Sequence, residues 1–409
     1  MRINLVEQNH FQEVFKTFFN KSFDKNIAGI SIDSRNIHKN DLFIAIKGEK
    51  FDGNDFLDQA LQNGASYTLS STRSDNGHHI FVEDLQDFLK KLCKRWLKDF
   101  NGKIIGITGS NGKTTTKDLI AHFLQSKFKV EKTLGNYNTS ISVPLSIFSF
   151  SLKTDIYVLE LGANRVGDID YLSSMVKPHY GIITSISSAH LEGFGSIENI
   201  EKEKKSILKH SQKKYNFNEL KPHSVDNLQT RNNSKIFIKN VEIASHISNE
   251  VLKDFNGSDL KVESLLDSFE MPSGRGDVLS INNIKIIDDS YNANPESVKA
   301  ALDHLNSFNG HRKLFVFGDM KELGDNEVNL HTEIGQYAEG KTDIILTVGK
   351  LAENAQSNSN NFALSLHFND NISLLEKLTE LLKDGDIILI KGSRSMQLDQ
   401  LINELKNVK

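Results

Sequence analysis

The sequence predicts an α/β protein of three domains, and three observations support that prediction. The chain has 409 residues, too many for one hydrophobic core. Short runs rich in Ile and Val alternate with helix-length segments, which is typical of parallel strands buried on both faces. A stretch without clear periodicity separates two such series, and a region of mixed pattern precedes both. We therefore expect domains at residues 1–101, 102–274 and 275–409.

The first region combines short apolar runs with turns rich in Gly and Asn. GISI and DLFIAI indicate strands, and FLKKLCKRWLKDF has the spacing of an amphipathic helix. Asn101 and Gly102 mark the end of that helix, since this pair favours a turn. We place the first boundary there and expect an N-terminal α/β domain.

The second series consists of KIIGIT, IYVLEL and GIITSI, and it predicts a mostly parallel central sheet. Residues 209–262 are polar and rich in Asn and Lys, and they carry no clear assignment. After SGRGDV a third series follows, formed by IKIIDD, KLFVF, DIILTV and DIILIK. Its alternation with helical stretches predicts a Rossmann-like C-terminal α/β domain.

Composition excludes several classes of protein. The net charge of -4 argues against bulk nucleic-acid binding, and no apolar run approaches the roughly 20 residues that span a bilayer. Cys93 is the only cysteine, so an internal disulfide is impossible and a reducing compartment is favoured. The polar N-terminus does not resemble a signal peptide. We expect a cytoplasmic monomer without membrane insertion.

The stretch GITGSNGKTTTKD, at residues 106–118, indicates a phosphate-binding loop. A predicted strand precedes it and a helical pattern follows it, so the glycines precede a helix N-terminus, which attracts phosphate. Gly109 and Gly112 allow the backbone to curl around an anion. Lys113 can reach the β- and γ-phosphates, and the Thr114 hydroxyl can bind Mg²⁺. The alternative is a Gly-rich turn with a capping Thr.

Two further residues follow predicted strands of the central sheet. Glu160 ends IYVLEL, and His190 lies just beyond GIITSI. Because ligands of open α/β sheets gather at the carboxyl ends of strands, both could converge on Mg²⁺ near Thr114. Taken alone, Glu160 could be a strand-end charge and His190 a loop histidine. Lys204, in IEKEKKSIL, could belong to a solvated helix face.

Together these motifs resemble the Mur ligase family of ATP-dependent amide-bond ligases. The family's phosphate loop has the form T-G-x-N-G-K-T, which TGSNGKT matches. The resemblance implies ATP and Mg²⁺ as cofactors, and a Lys204 that reacts with CO₂ to become a carbamate. The implied metal ligands are Thr114, Glu160, His190 and carbamylated Lys204, and the implied catalytic residues are Lys113, Glu160, His190 and Lys204.

Other strings resemble the branch of the family that adds D-alanyl-D-alanine to UDP-N-acetylmuramoyl-tripeptide. These are SIDSRNIHKNDLF, YNANP, GDMKELG and KGSRSM. The resemblance implies both molecules as substrates, with Ser34 and Arg35 on the diphosphate of the UDP group, since Arg suits phosphate. The implied ATP contacts are Gly109, Ser110, Asn111, Gly112, Lys113, Thr114, Thr115, Asn240, Arg275 and Asp289. The other implied substrate contacts are Asn138, Asn292, Asn294, Ser393 and Arg394.

The chain also departs from the family pattern. Residues 210–238 form a shorter segment than usual, and the family's LNxDD strand is not recognisable, which leaves the edge of the central sheet unassigned. Two alternatives therefore stay open: another ligase of this superfamily, such as a folylpolyglutamate synthase, or an inactive binding homologue. The sequence does not distinguish lysine from diaminopimelate as the third residue of the tripeptide.

Overall fold

The computed structural model describes residues 1–19, 23–48, 51–188, 191–222, 225, 232–357 and 361–407. Within them, three β-sheets follow one another along the chain, of five, five and six strands, with helices packed against them. The predicted α/β architecture of three units is confirmed. None of the described helices combines the length and the apolar character that a bilayer crossing requires.

The first unit contains a short, mainly parallel sheet. Its strands are β1 (Arg2–Asn4), β2 (Gly29–Ser31), β3 (Asp41–Ile44), β4 (Tyr67–Ser70) and β5 (His79–Phe81). They lie in chain order, and only the β1–β2 pair is antiparallel. The helices are α1 (Gln8–Lys16), α2 (Leu57–Gln62) and α3 (Leu85–Trp96), with 3-10 turns at Gly53–Phe56 and Leu97–Asp99. Helix α3 is the predicted amphipathic helix.

The first unit shares a continuous apolar core with the second. Phe11 of α1 and Trp96 of α3 both pack on Phe148 of the central unit, with ring centroids 5.4 and 5.8 Å apart. Aromatic pairs of this kind stabilise an interface beyond the area they bury. The boundary at residues 101 and 102 separates two sheets that share one apolar core. The domain limits therefore stay predictions.

The second unit is a fully parallel sheet. Its strands are β6 (Lys103–Thr108), β7 (Val130–Lys132), β8 (Ile156–Glu160), β9 (Tyr180–Ile183) and β10 (Lys213–Asn216). The spatial order is β10-β9-β6-β8-β7. The helices are α4 (Lys113–Gln125), α5 (Ser142–Phe148), α6 (Asp168–Val176), α7 (Leu191–Phe194), α8 (Ile197–Lys205), α9 (Ile207–His210), α10 (Lys235–Asp254) and α11 (Val262–Leu266).

The stretch without a sequence assignment supplies two elements of this unit. Strand β10 pairs in parallel with β9 and closes the edge of the sheet. Its sequence, KKYN, is polar because an edge strand keeps one side in water. Helix α10 packs on α4 through Val241, Ala244, Ile247 and Val251, all fully buried.

The third unit is a six-stranded sheet. Its strands are β11 (Asp277–Ile281), β12 (Ile284–Asp289), β13 (Lys313–Gly318), β14 (Ile344–Val348), β15 (Leu364–Phe368) and β16 (Ile387–Lys391). The order is β11-β12-β16-β13-β14-β15, and only β11 is antiparallel. The helices are α12 (Pro295–Asn306), α13 (Glu327–Ala338), α14 (Glu353–Ser357), α15 (Asn371–Leu381) and α16 (Asp399–Asn407), with 3-10 turns at Gly324–Asn326 and Arg394–Met396.

Candidate active site

A cavity of about 640 Å³ lies between the central and the C-terminal sheets. It receives the carboxyl ends of β8, β12 and β16, where ligands of open α/β sheets bind. Its volume is in the range of small-molecule sites. The sequence-predicted residues that line it are Ser110, Asn111, Gly112, Lys113, Thr114, Thr115, Asn138, Glu160, Asn240, Arg275, Asp289, Asn292 and Asn294.

The predicted phosphate loop connects β6 to α4. Gly109 and Gly112 have φ of 151° and 82°, a region that residues with a side chain rarely adopt. A methyl group on Gly112 would come within 2.4 Å of Asn240 Oδ1, and one on Gly109 within 2.1 Å of Thr184 Oγ1. The glycines therefore allow the loop to pack closely on α10 and on the end of β9. The free N–H groups at the start of α4 border the cavity.

Lys113 begins α4 and folds back over the loop. Its Nζ donates hydrogen bonds to the carbonyls of Gly109 and Ser110, at 2.8 and 3.2 Å. Loss of contact with water lowers the pKa of Lys113, and the charge of Arg275 acts in the same direction. The ammonium is thus held within the cradle where a phosphate would lie.

Glu160 is the acidic centre of the site. It is 1% exposed and accepts hydrogen bonds from Thr114 Oγ1 at 2.7 Å and from Asn138 Nδ2 at 2.8 Å. Its backbone N–H donates to Thr133 Oγ1 at 3.0 Å, which fixes the end of β8. The expected approach of Glu160 to Thr114 is therefore present, and His190 lies outside the described residues.

The opposite wall is formed by the start of the C-terminal unit. The guanidinium of Arg275 lies 4.0 Å from the ring centroid of Tyr291, close enough for a cation–π contact. Asp289 ends β12 and forms an ion pair of 2.5 Å with Lys391, its register neighbour on β16. Burial raises the pKa of Asp289, while Lys391 opposes that shift.

Comparison with known proteins covers nearly the whole chain. A Mur ligase family catalytic domain matches residues 26–96, a Mur ligase middle domain matches 107–282, and a Mur ligase glutamate ligase domain matches 274–394. The UDP-N-acetylmuramoyl-tripeptide--D-alanyl-D-alanine ligase of Bacillus subtilis (strain 168) is 31% identical over 98% of this chain and 98% of its own. The chain belongs to the Mur ligase family.

Solved structures agree with this assignment. The MurF ligase of Thermotoga maritima, in complex with ADP, has a TM-score of 0.81 at 28% identity and covers 92% of this chain and 97% of its own. A MurF from Acinetobacter baumannii has a TM-score of 0.85 at 25% identity and covers 99% of this chain and 100% of its own. This Mur ligase therefore shares both the order and the arrangement of the three units with relatives of known structure.

Lys204 of this Mur ligase turns inward, unlike its neighbours in the charged run. It is 2% exposed, and its Nζ lies 5.6 Å from the ring centroid of Phe194. Burial lowers the pKa of Lys204 to about 7, and the nearby charge of Lys113 adds to this effect. Lys202 is exposed and Lys205 pairs with glutamates on the surface. The alternative prediction, that Lys204 lies on the solvated face of its helix, is therefore wrong.

The two residues that meet at the carboxyl edge of the central sheet fit Mg²⁺ by their chemistry. Thr114 and Glu160 offer a hydroxyl and a carboxylate, the hard oxygen donors that Mg²⁺ prefers. Among the described residues, no group of three or more His, Cys, Asp or Glu side chains could form an all-protein cage. This arrangement suits Mg²⁺, which is usually bound by one or two carboxylates together with water and substrate phosphates.

Four predicted substrate residues lie away from the described lining of the cavity. Ser34 is buried and donates to Gln59 Oε1 at 2.8 Å. Arg35 is exposed and makes two hydrogen bonds to Asp33, at 2.9 and 2.8 Å. Ser393 is buried, and its hydroxyl accepts from the Lys321 N–H. Exposed Arg394 pairs with Asp399. Their roles stay predictions.

Sequence reasoning missed two lysines near the site. Lys391 lines the cavity beside Asp289, and its position at the end of a predicted strand could have identified it. Lys117 is fully buried and donates to the carbonyl of Gly135 at 3.1 Å. Lys117 stands one turn after Lys113, where a lysine on a helix is more often solvated, so the sequence carries no signal for its burial.

Proposed function

We propose that this Mur ligase joins D-alanyl-D-alanine to UDP-N-acetylmuramoyl-tripeptide and consumes ATP in doing so. The observation that carries the proposal is the likeness to the Bacillus subtilis enzyme of that name, which extends over 98% of both chains. A match of that extent includes the first unit and both walls of the cavity. It favours this reaction over that of a folylpolyglutamate synthase, in which the first unit has no place.

In the proposed reaction, the terminal carboxylate of the tripeptide attacks the γ-phosphorus of ATP, which gives an acyl phosphate and ADP. The amine of D-alanyl-D-alanine then attacks the acyl carbon, and the tetrahedral intermediate expels inorganic phosphate. Both steps bring anions together, so the site must neutralise negative charge. Lys113 and Arg275 supply cations on facing walls of the cavity. Closure of the two units on the bound substrates would exclude water from the acyl phosphate.

The metal and the carbamate belong to this proposal. Mg²⁺ would neutralise the phosphates and bind to Thr114 and Glu160, with His190 as a further expected ligand. Lys204 would contribute a carboxylate once its amine has reacted with CO₂. Its burial and lowered pKa support this role, because only the neutral amine reacts with CO₂.

The nucleotide would extend from the phosphate loop along α10 and β12. Asn240 lines the cavity behind Gly112 and is the candidate on the adenine side. Asp289 is the candidate for the ribose, and its ion pair with Lys391 would hold the carboxylate in place. The remaining proposed phosphate contacts are Gly109, Ser110, Asn111, Gly112 and Thr115.

The other substrates would be bound by groups from all three units. Ser34 and Arg35 are proposed for the diphosphate of the UDP group. Asn138, Asn292 and Asn294 border the cavity and are proposed for the reacting ends of the two substrates, with Ser393 and Arg394 beside them. We place the enzyme in the cytoplasm, in keeping with its single, buried cysteine, and expect it to act as a monomer.

Phosphate release by the purified protein tests the proposal. With ATP, Mg²⁺, UDP-N-acetylmuramoyl-tripeptide and D-alanyl-D-alanine, we expect phosphate and the pentapeptide product in equal amounts, and no product when any substrate is omitted. The Lys113→Ala variant should lose on the order of 10²–10³ in rate. A protein that binds the substrates without turnover would support an inactive homologue, and near-wild-type turnover by Lys113→Ala would overturn the phosphate-loop assignment.

A further inference from the structure

Residues 184–188, which follow β9, contact the first turn of α12. Ser188 Oγ donates a hydrogen bond to Glu296 Oε1 at 2.5 Å, and its backbone N–H approaches the same oxygen at 3.4 Å. A second contact joins the phosphate loop to the same turn, because Asn294 Nδ2 donates to Asn111 Oδ1 at 2.8 Å. Two separate polar contacts therefore connect the central unit to the start of one C-terminal helix.

The second contact has a defined direction. Asn294 caps α12, and its Oδ1 accepts from the backbone N–H of Ser297 at 2.9 Å. Only Nδ2 of Asn294 can then face Asn111, which must present its own Oδ1. The Nδ2 of Asn111 is left to donate, and it does so to Ser187 Oγ at 3.1 Å. In both Asn side chains of this series, Nδ2 therefore donates and Oδ1 accepts, so neither amide can be turned around without loss of a hydrogen bond.

Asn111 is also fixed through its backbone. Its N–H donates to Ser185 Oγ at 2.9 Å, and its carbonyl accepts from Thr184 Oγ1 at 2.6 Å. The end of β9 therefore holds Asn111 at both the backbone and the side chain. Because Asn111 belongs to the phosphate loop, an anion that orders the loop also orders the group that Asn294 contacts.

We propose that Ser187 and Ser188 are positioning residues that hold the first turn of α12 against the phosphate loop. Ser187 acts through Asn111 on Asn294, and Ser188 acts directly on Glu296. A nucleotide on the loop then orders the start of α12 before the second amino substrate binds. The consequence for catalysis rests on the proposed function, because Asn292 and Asn294 are proposed substrate contacts.

Hydrogen exchange tests the positioning role without requiring turnover. A non-hydrolysable ATP analogue with Mg²⁺ should slow exchange of the backbone amides at residues 296–300 in the wild type. The double variant Ser187→Ala, Ser188→Ala should lose most of that protection and keep the protection of the phosphate loop itself. Ser307→Ala is the matched control, because its hydroxyl donates to the carbonyl of His304 at the far end of α12.

Steady-state kinetics adds a readout that a purely structural role would not change. A net hydrogen bond of about 0.5–1.5 kcal/mol corresponds to about a two- to twelvefold effect. We expect the KM for D-alanyl-D-alanine to rise by about that factor in the double variant, and the KM for ATP to change less than about twofold.

Two conservative substitutions separate the contacts from helix stability. Asn294→Ser keeps a good N-cap but is too short to reach Asn111, so it should reproduce the loss of analogue-induced protection at residues 296–300. Glu296→Gln keeps an acceptor for Ser188 and should behave like the wild type, whereas Glu296→Ala should not.

The results also distinguish this inference from the proposed reaction. If the double variant matches the wild type in both protection and KM, and Asn294→Ser matches it in protection, the positioning role is overturned. If the analogue protects α12 in the wild type and not in the double variant, but no pentapeptide forms, the positioning role stands and the proposed reaction is overturned.

Discussion

Lys117 Nζ lies 3.9 Å from Oε2 of Glu160, and the two side chains are 0% and 2% exposed. The ammonium also lies 3.5 Å from Asp118 Oδ1, which pairs with Lys132 at 2.7 Å. Charges of alternating sign thus run from the half-buried Lys132 to the carboxylate of the proposed metal site. A buried carboxylate requires such compensation, because its transfer from water is costly.

Replacement of Lys117 should therefore destabilise the protein strongly. Lys117→Met removes the buried cation and leaves Glu160 and Asp118 partly uncompensated, which typically costs about 3–5 kcal/mol. The free energy of unfolding from urea titration measures this loss. Lys132→Met is the matched control, because its side chain is 32% exposed and pairs of that kind contribute about 1 kcal/mol or less. Equal losses in the two variants would contradict a special role for the buried lysine.

The central and C-terminal strands could be predicted because they are buried on both faces. KIIGIT and DIILIK are continuous apolar runs, and they form β6 and β16. Edge elements such as β10 could not be predicted in the same way, because their polar residues face water on one side. Helix α10 has apolar residues at helical spacing. It also contains many polar residues and follows a segment that is shorter than usual, so the helix was not recognised from the sequence.

The stability of the C-terminal unit should decrease as the pH falls, partly through His304. Burial lowers the pKa of His304 to about 4, so the folded state favours the neutral ring. The unfolded chain titrates near 6.5. The stabilisation is thus complete above pH 6.5 and is lost as the pH falls towards 4. Between pH 7 and pH 5, we expect the wild type to lose about 2 kcal/mol more than His304→Leu.

Urea titrations of both proteins at the two pH values measure this difference. Other buried groups, such as His331, titrate in the wild type and in the variant alike and cancel in the comparison. If both proteins lose the same stability between pH 7 and pH 5, His304 is not the titrating group.

Arg35→Ala should weaken binding of the UDP substrate and leave the use of ATP nearly unchanged. The side chain is 83% exposed and its guanidinium is oriented by Asp33, so its loss should not destabilise the fold. A contact to a diphosphate remote from the reacting carboxylate is the same in the ground state and the transition state, so KM should rise and kcat should not fall. We expect about a tenfold rise in KM. A rise in the KM for ATP instead would mean that the first unit has been misassigned.

The site could be predicted where a motif lies between a strand and a helix. Thr114 and Glu160 meet because both stand at the carboxyl edge of one parallel sheet, a rule of topology that the sequence pattern reveals. Lys117 could not be assigned in this way, because its burial depends on contacts with Gly135 and Glu160, which lie elsewhere along the chain. The spacing of apolar residues along a sequence indicates which face of a helix or strand is buried. It does not reveal which distant carboxylate compensates a buried cation.

Lys204→Ala should reduce formation of the acyl phosphate by on the order of 10²-fold or more, because the proposed carbamate would no longer help to hold the metal. Added acetate should restore part of the activity, since the cavity left by the side chain can accept a small carboxylate. Phosphate release at increasing acetate concentration, with and without D-alanyl-D-alanine, measures both effects.

The neighbouring lysines provide the controls for this experiment. Lys202 is exposed and Lys205 pairs with Glu201 and Glu219 on the surface, so Lys202→Ala and Lys205→Ala should retain activity within about twofold, and acetate should not stimulate them. A lysine that acts through its positive charge would not be rescued by an anion. Chloride at equal ionic strength is the control for a general effect of salt. If Lys204→Ala loses activity and neither acetate nor chloride restores it, the result argues for the ammonium and against the carbamate.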